Sequence, residues 1–281
     1  MIALPCNVAH LAGSLRWSFL VPVMMCLSRG VLADSSTALT VAPDLPVICT
    51  DRPTKANYAC AVEAGHFQYE ADLVISSTLD APSGRVTTWL IGNPTLKYGI
   101  GQGIDLEASV TALEIVHTPG RTVSGQGDLY LRVKDEFINT AGGVTQMAII
   151  PFVKAPTAAS GLGNGAVEGG AIAPLNVKLS DTLTLTTAPE LDLNAHVQGS
   201  GHHLNTAQLI NIAYAWTPRL TLYGELWADW DFDPGGMIHQ SSFDGAITYL
   251  LTAYLQLDAG FDIGLNRSTA TQLYLGISQK F

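Results

Sequence analysis

Two cysteines, Cys49 and Cys60, lie eleven positions apart in a chain that has only four. A pair of cysteines can form a redox centre, bind a metal or form a disulfide. A redox centre usually has its cysteines closer together, as in the C-x-x-C motif. A zinc site normally has four ligands, and these two cysteines with the more distant His66 supply only three. A disulfide is the third use, and it depends on the compartment in which the chain folds.

The first 33 residues have the features of an export signal. Arg16 precedes the apolar run "WSFLVPVMMCL", and Ala33 is a small residue at a suitable cleavage point. Removing residues 1–33 also removes Cys6 and Cys26, so that two cysteines remain in an oxidising compartment. We therefore predict a disulfide between those two. By removing conformational entropy from the unfolded chain, it would stabilise the folded protein by roughly 3 kcal/mol.

Composition and charge narrow the class of protein. Charged residues make up 14% of the chain, against about 25% in a typical soluble domain, and 27 residues are glycine. No apolar run after residue 33 reaches the roughly 20 residues that a membrane-spanning helix requires. The net charge of −10 disfavours nucleic acid as a partner, because binding to nucleic acid depends on neutralising phosphates.

Apolar and polar residues alternate along most of the chain from Phe67 onward, which is the pattern of strands with one apolar and one polar face. Twelve such runs are predicted. In the first, one face holds Phe67, Tyr69, Ala71, Leu73 and Ile75, and the other holds Gln68, Glu70 and Asp72. The twelve runs span residues 66–76, 85–98, 103–116, 127–137, 144–155, 165–177, 181–193, 206–217, 219–229, 239–250, 254–264 and 271–281.

The segments between these runs alternate in length, short after the even-numbered runs and mostly longer after the odd-numbered ones. Transmembrane barrels have this asymmetry, with short periplasmic turns and longer outer loops. A soluble jelly roll or lipocalin-like barrel shows the same alternation of faces. The low charge, the loop pattern and the terminal Phe281 favour a transmembrane, antiparallel, up-and-down β-barrel of about 12 strands. Trp227 and Trp230 are then predicted to mark the membrane interface.

In such a barrel the polar faces line the lumen with charges of both signs, and their field acts across it. Barrels of about eight strands are filled by side chains, and barrels of about sixteen or more leave a channel. An open or gated pore and a barrel filled by its own ion pairs therefore both remain possible for twelve strands. The residues predicted to line the lumen are Glu70, Asp72, Lys97, Asp105, Glu107, Arg132, Lys134, Glu225, Asp258, Asp262 and Lys280.

Other residues of chemical interest do not form a convincing site. Asp229, Asp231 and Asp233 alternate in "DWDFDPGG", but no downstream glutamate completes a calcium loop. His202 and His203 are adjacent, and adjacent residues of an extended segment point apart. The sequence has no G-x-S-x-G nucleophile motif. We therefore predict no catalytic residues, no metal and no cofactor.

Several segments resemble the outer-membrane proteins linked to the meta-pathway of phenol degradation, which are described as transporters. These segments are "CTDRPTKANYACAVEAGHFQYEADL", "TWLIGNPTLKYGI", "GDLYLRVKDEF", "LQLDAGFDIGLN" and the terminal "LGISQKF". The resemblance covers most of the chain after residue 48. It implies a barrel of about twelve strands in a Gram-negative outer membrane, with a role in the passage of small, often aromatic, molecules.

The predicted organisation is a signal peptide at 1–33, a periplasmic or plug-like segment at 34–65, and a barrel at 66–281. The predicted function is passage of small organic solutes through a porin-like barrel that is not an enzyme. The alternative is a structural, adhesive or enzymatic barrel that acts through its outer loops. The predicted partners are outer-membrane lipid, a small organic solute and, through Phe281 on the last strand, the outer-membrane assembly machinery.

Overall fold

The computed structural model describes residues 47–281 and shows twelve antiparallel strands that close into a barrel. Each strand pairs with the next along the chain, and β1 pairs with β12. Four strands are interrupted once. The strands are β1 (Phe67–Ala81), β2 (Gly84–Gly101), β3 (Ile104–Val110 and Leu113–Thr118), β4 (Arg121–Gly125 and Leu129–Asn139), β5 (Thr145–Ala155), β6 (Glu168–Ile172 and Leu175–Lys178), β7 (Leu183–Thr187 and Glu190–Ala195), β8 (His202–Ala215), β9 (Leu220–Asp231), β10 (Ile238–Thr252), β11 (Leu255–Gly264) and β12 (Thr271–Lys280).

This architecture confirms the all-β, twelve-stranded prediction. A short 3-10 helix, Ala141–Gly143, lies between β4 and β5. The predicted export signal at 1–33 lies outside the described residues, as do residues 34–46. Pro174 and Pro189 lie at the interruptions of β6 and β7, because proline has no N–H to donate to the ladder.

The outer surface of the barrel is apolar. Side chains such as Leu273 (62% exposed) and Leu226 (57% exposed) point away from the lumen, as they do on most strands. So large an apolar surface is unfavourable in water and favourable in a bilayer. Residues 47–281 contain no helix with the length and hydropathy of a membrane-spanning helix. Further members of the apolar surface are Leu96, Tyr98, Leu106, Leu131, Val133, Val153, Ile210, Phe243, Ile247, Leu257, Ile263 and Leu275.

The first strand departs from the predicted faces at Leu73. The register of β1 against β12 shifts between Asp72 and Val74, so Leu73 is an extra residue, or β-bulge. A bulge exchanges the faces of the residues beyond it. Ile75, predicted to share the outer face with Phe67, is instead buried in the lumen beside Tyr274, and that part of the prediction is wrong.

The first and third inter-strand segments are shorter than predicted. "STLDAPSG" and "TPGRTVSGQG" are mostly strand, and the turns are only 82–83 and 119–120. Arg85 donates from Nε to Oδ1 of Asp80 across the first hairpin at 2.8 Å. Where a hairpin extends beyond the bilayer, both of its faces meet water, so polar side chains are tolerated on both. Its two strands can therefore stay paired through these polar segments. The longer outer connections are 156–167, 196–201, 232–237 and 265–270, and the turns at the other end are 102–103, 140–144, 179–182, 216–219 and 253–254.

Candidate functional site: the barrel lumen

Residues 47–65, called the plug from here on, lie inside the barrel. The backbone N–H of Ile48 donates to the carbonyl of Ala253 at 2.8 Å, which places the entry of the plug beside the short β10–β11 turn. At its other end Gly65 donates to the carbonyl of Gly99 at 2.8 Å. The plug is therefore a loop that enters and leaves the lumen at the end with the short turns, and Lys55 lies near its tip.

A disulfide between Cys49 and Cys60 joins the two legs of the plug, which confirms the predicted pairing. Their Cα atoms are 6.4 Å apart. The cross-link closes a loop around the segment from Thr50 to Ala59, which carries Asp51, Arg52 and Lys55. Closing a loop of this size lowers the conformational entropy of the unfolded chain, which stabilises the folded protein by about 3 kcal/mol.

Arg52 anchors the plug to two strands. Its Nε and Nη2 donate to Asp258 at 2.9 and 2.6 Å, and its Nη1 donates to Asp72. Asn93 also donates to Asp72, at 2.5 Å. Burial alone would lower the pKa of Arg52, but the two carboxylates outweigh burial and raise it. The fork of the guanidinium thus bridges β1 and β11 through the plug.

Asp51 provides the opposite charge for two lysines of the barrel wall. Lys134 contacts both carboxylate oxygens of Asp51 at 2.8 Å, and Lys97 also binds Asp51. Lys97 lies 2.7 Å from Glu70 and 3.5 Å from Glu107. These five side chains are buried, and each lies next to at least one side chain of opposite charge.

Lys55, near the tip of the plug, binds the barrel wall at β10 and β11. Its Nζ lies 2.7 Å from Asp244 and 2.7 Å from Asp262, on β10 and β11. Its backbone N–H donates to Glu225 at 3.0 Å. Its ammonium lies 5.3 Å from the centre of the Trp227 ring. Burial alone would lower the pKa of Lys55, but Asp262, Asp244 and Glu225 outweigh it and raise the pKa.

The eleven charged residues predicted to line the lumen are all turned inward, and ten of them are buried. Nine bind the plug directly. Glu107 and Arg132 do not, and they contact each other at 3.9 Å. Three of the nine bind the plug through contacts not described above, namely Asp105 with Val62 N–H at 2.7 Å, Glu70 with Asp51 N–H at 3.0 Å and Lys280 with Glu63 at 3.1 Å.

Sequence reasoning missed the plug cations and several of their partners. Arg52, Lys55 and Asp244 were not singled out, although "TDRPTK" places three charges between the two cysteines. Asn176, which accepts the N–H of Ala59 at 2.6 Å, was also missed. Trp227, predicted for the membrane interface, is only 5% exposed and lies in the lumen.

Trp227 faces inward because β9 presents it on the same side as Glu225 and Asp229, two positions away in each direction. It belongs to an apolar cluster that also includes Ala56 of the plug, Ile150 and Leu209. The prediction for Trp227 is therefore wrong. An aromatic residue between carboxylates continues the inward face of the strand, and residue type alone does not reveal this.

A cavity of about 120 Å³ remains in the lumen beyond the tip of the plug. Lys55 and Asn57 of the plug form part of its lining, and the rest comes from β4 to β9. Apolar parts of the wall include Phe152, Leu209 and Trp227. Polar parts include the cations Arg132 and Lys154 and the acidic side chains Glu168, Glu190 and Asp192.

The outer connection 156–167 contacts the rim of this cavity. Lys154 donates to Oδ1 of Asn164 at 2.7 Å, and Asn164 donates to Glu168 at 2.5 Å. Leu162 of the same connection is buried. The cavity is therefore bordered by the plug at one end and by this connection near the other.

A buried contact between histidine and aspartate lies at the outer ends of β8 and β9. His203 lies 2.7 Å from Asp231 and 3.4 Å from Asp233, and its ring stacks on His196 with centroids 5.5 Å apart. His202 points away, toward the carbonyl of Val167 at 2.9 Å. Within residues 47–281, no group of three or more His, Cys, Asp or Glu side chains is arranged to hold a metal ion.

The terminal Phe281 closes the seam of the barrel through its backbone. Its N–H donates to the carbonyl of Phe67 at 2.8 Å, and its carbonyl lies 3.0 Å from Nδ1 of His66. Its side chain is exposed on the outside of the barrel.

A closed barrel with an apolar exterior and a polar lumen defines an outer-membrane β-barrel protein. The family model described as "Putative MetA-pathway of phenol degradation" matches residues 50–281, and the chain belongs to that family. This confirms the family resemblance. No curated protein matches the sequence.

Two solved structures show the same fold. The COG4313 outer membrane channel from Pseudomonas putida F1 is 17% identical, with a TM-score of 0.66 over 79% of this chain and 98% of that one. The NanC porin is 8% identical, with a TM-score of 0.53 over 76% of this chain and 100% of that one.

Proposed function

We propose that this protein is an outer-membrane channel for small organic solutes, aromatic ones among them. The observation that carries the proposal is the cavity in the lumen, which combines aromatic walls with charged side chains of both signs. Family membership and the fold shared with a channel and a porin support it. The proposal includes no catalytic step.

Passage requires the plug to move, because its ion pairs occupy the end of the lumen with the short turns. The plug is held mainly by contacts of its side chains, chiefly those of Asp51, Arg52 and Lys55, and its pairing with the barrel strands is limited to one bridge between Ala64 and Gly99. Breaking such contacts leaves the twelve-stranded barrel itself intact. We therefore place the gate of the channel at the plug.

The test is to reconstitute the refolded protein in planar bilayers and in liposomes. The expected result is intermittent single-channel conductance and faster entry of small aromatic solutes than into protein-free liposomes. The heat-dependent shift in electrophoretic mobility shows whether the barrel is folded. If the folded protein gives neither conductance nor faster solute entry, the proposal is contradicted.

The alternative of a barrel that acts through its outer loops receives less support from the described residues. The outer connections run from two residues at 82–83 to twelve at 156–167, which is little surface for binding a partner. Deleting 232–237 would therefore leave conductance in place if the lumen carries the function.

We also infer an export signal at 1–33 and recognition of the last strand by the assembly machinery. The disulfide supports export, because disulfides persist in oxidising compartments. The exposed side chain of Phe281 supports recognition, because it remains accessible on the outside of the folded barrel. Replacing Phe281 by serine should lower the amount of folded barrel in the membrane.

A further inference from the structure

Among the three cations that line the cavity, Arg132 is the one with a buried N–H group that donates no hydrogen bond to the described residues. Its nearest ion-pair contact among the described residues is Glu107, at 3.9 Å, which is longer than a hydrogen bond. Its Nε is buried and donates to no described residue. The other two cations of the cavity are engaged, since Lys55 lies 2.7 Å from two carboxylates and Lys154 lies 2.6 Å from Glu168.

Acceptors face the same cavity from the plug and from β8. The side-chain carbonyls of Asn57 and Asn205 receive no hydrogen bond from any described residue, and both asparagines are 5% exposed. Asp192 on β7 lies beside Asn205. A buried acceptor without a partner is unfavourable, so a ligand that donates a hydrogen bond here gains more than it would in water.

The apolar part of the cavity suits one ring. Phe152 and Trp227 supply aromatic surface, and Leu209 supplies an aliphatic contact. The volume of about 120 Å³ is close to the roughly 150 Å³ of an engineered apolar cavity that holds benzene. A sugar chain exceeds this space.

We propose that the cavity binds a single-ring aromatic carboxylic acid that carries a hydroxyl group on the ring. The carboxylate pairs with Arg132, the ring lies against Trp227 and Phe152, and the hydroxyl donates toward Asn205. This assignment rests on the proposed function, because it makes the cavity a station for the solute that passes through the barrel.

The test measures binding of three probes, 4-hydroxybenzoate, benzoate and phenol, to the refolded disulfide-bonded barrel by isothermal titration calorimetry. We expect 4-hydroxybenzoate to bind about tenfold more tightly than either of the other two, because each of them lacks one of its polar groups. Arg132→Met should weaken both acids by tenfold or more and leave phenol unchanged. Asn205→Ala should weaken 4-hydroxybenzoate and leave benzoate unchanged.

Two variants serve as controls. Arg132→Lys keeps the charge and should retain part of the affinity for the acids, which separates loss of the site from loss of folding. Arg85→Met removes a cation from the exposed hairpin and should change nothing. Equal affinities for phenol and 4-hydroxybenzoate, or acid binding that survives Arg132→Met, would overturn the proposal.

Bilayer conductance separates this proposal from the proposed function. If the barrel conducts but none of the three probes binds, the ligand assignment is wrong and the channel function stands. If 4-hydroxybenzoate binds as expected but the barrel neither conducts nor admits solute, the site stands and the channel function is wrong.

Discussion

The Nζ atom of Lys55 lies 2.7 Å from Oδ2 of Asp262, and this ion pair joins the tip of the plug to a strand 207 positions away in the sequence. Together with the bridge that Arg52 makes to Asp72 and Asp258, it joins the plug to β1, β10 and β11. Each contact depends on one cation of the plug, so the release of the plug can be tested by replacing these two side chains.

Removing the two cations of the plug should open the channel. Breaking a buried ion pair by deleting one partner typically costs about 3–5 kcal/mol, because the other charge stays behind. The double variant Arg52→Met/Lys55→Met is therefore expected to raise the open probability in planar bilayers many-fold. Arg85→Met is the matched control, and unchanged conductance in a correctly folded double variant would refute the role of these contacts.

Gly276 offers a steric test of the same docking. A Cβ added at Gly276 would overlap the guanidinium of Arg52, so Gly276→Ala should push Arg52 off its carboxylates and raise conductance. Gly224→Ala is the control, because a Cβ there has no heavy atom within 4 Å. Equal conductance of the two variants would show that Arg52 does not hold the plug.

Reducing the disulfide should make the plug more mobile without changing the size of the pore. We expect a reductant to increase the frequency of opening events and to leave the conductance of each event unchanged. The variant Cys49→Ala/Cys60→Ala should show the same behaviour without reductant and should not respond to it. Mass spectrometry that finds two free thiols in protein from the periplasmic side would contradict the pairing.

Alkaline pH should release the plug through Lys55. The pKa of Lys55 is raised above its ordinary value of 10.5, so its contribution to docking is fully present below that pH and is lost as the pH rises through the higher pKa of the docked state. Conductance should therefore stay constant from neutral pH to about 10 and rise above it. Lys55→Arg should suppress the rise, since arginine keeps its proton at these pH values.

The position of Trp227 in the lumen can be checked by fluorescence. A variant that retains Trp227 as its only tryptophan should be quenched little by brominated phospholipids, because the ring is buried inside the barrel. A variant that retains only Trp216, whose side chain is exposed, should be quenched strongly. Strong quenching of Trp227 would place it on the membrane face.

The barrel was predictable from the sequence because its signal repeats on every strand. Alternation of faces is a local property, and twelve repetitions of it define both the strand count and the inward residues. The exceptions occur where one residue changes the register. The bulge at Leu73 exchanges the faces of β1, and no property of Leu73 itself distinguishes it from its neighbours.

The contents of the lumen were less predictable, because they depend on contacts between distant residues. Arg52 and Asp258 are 206 positions apart, and neither sequence neighbourhood indicates the other. The cysteine spacing did predict the cross-link, since a disulfide depends on compartment and count. The charges between the cysteines were visible in the sequence, but the barrel wall that neutralises them exists only after closure.

The bridge that Arg52 makes has a consequence for the order of assembly. Asp72 lies on β1 and Asp258 on β11, and β12 joins these two strands across the seam. Both carboxylates reach one guanidinium only after the last strand has paired with the first. The N-terminal segment, although synthesised before any strand, therefore completes its docking last, and a barrel closed in the wrong register offers Arg52 no matching pair of partners.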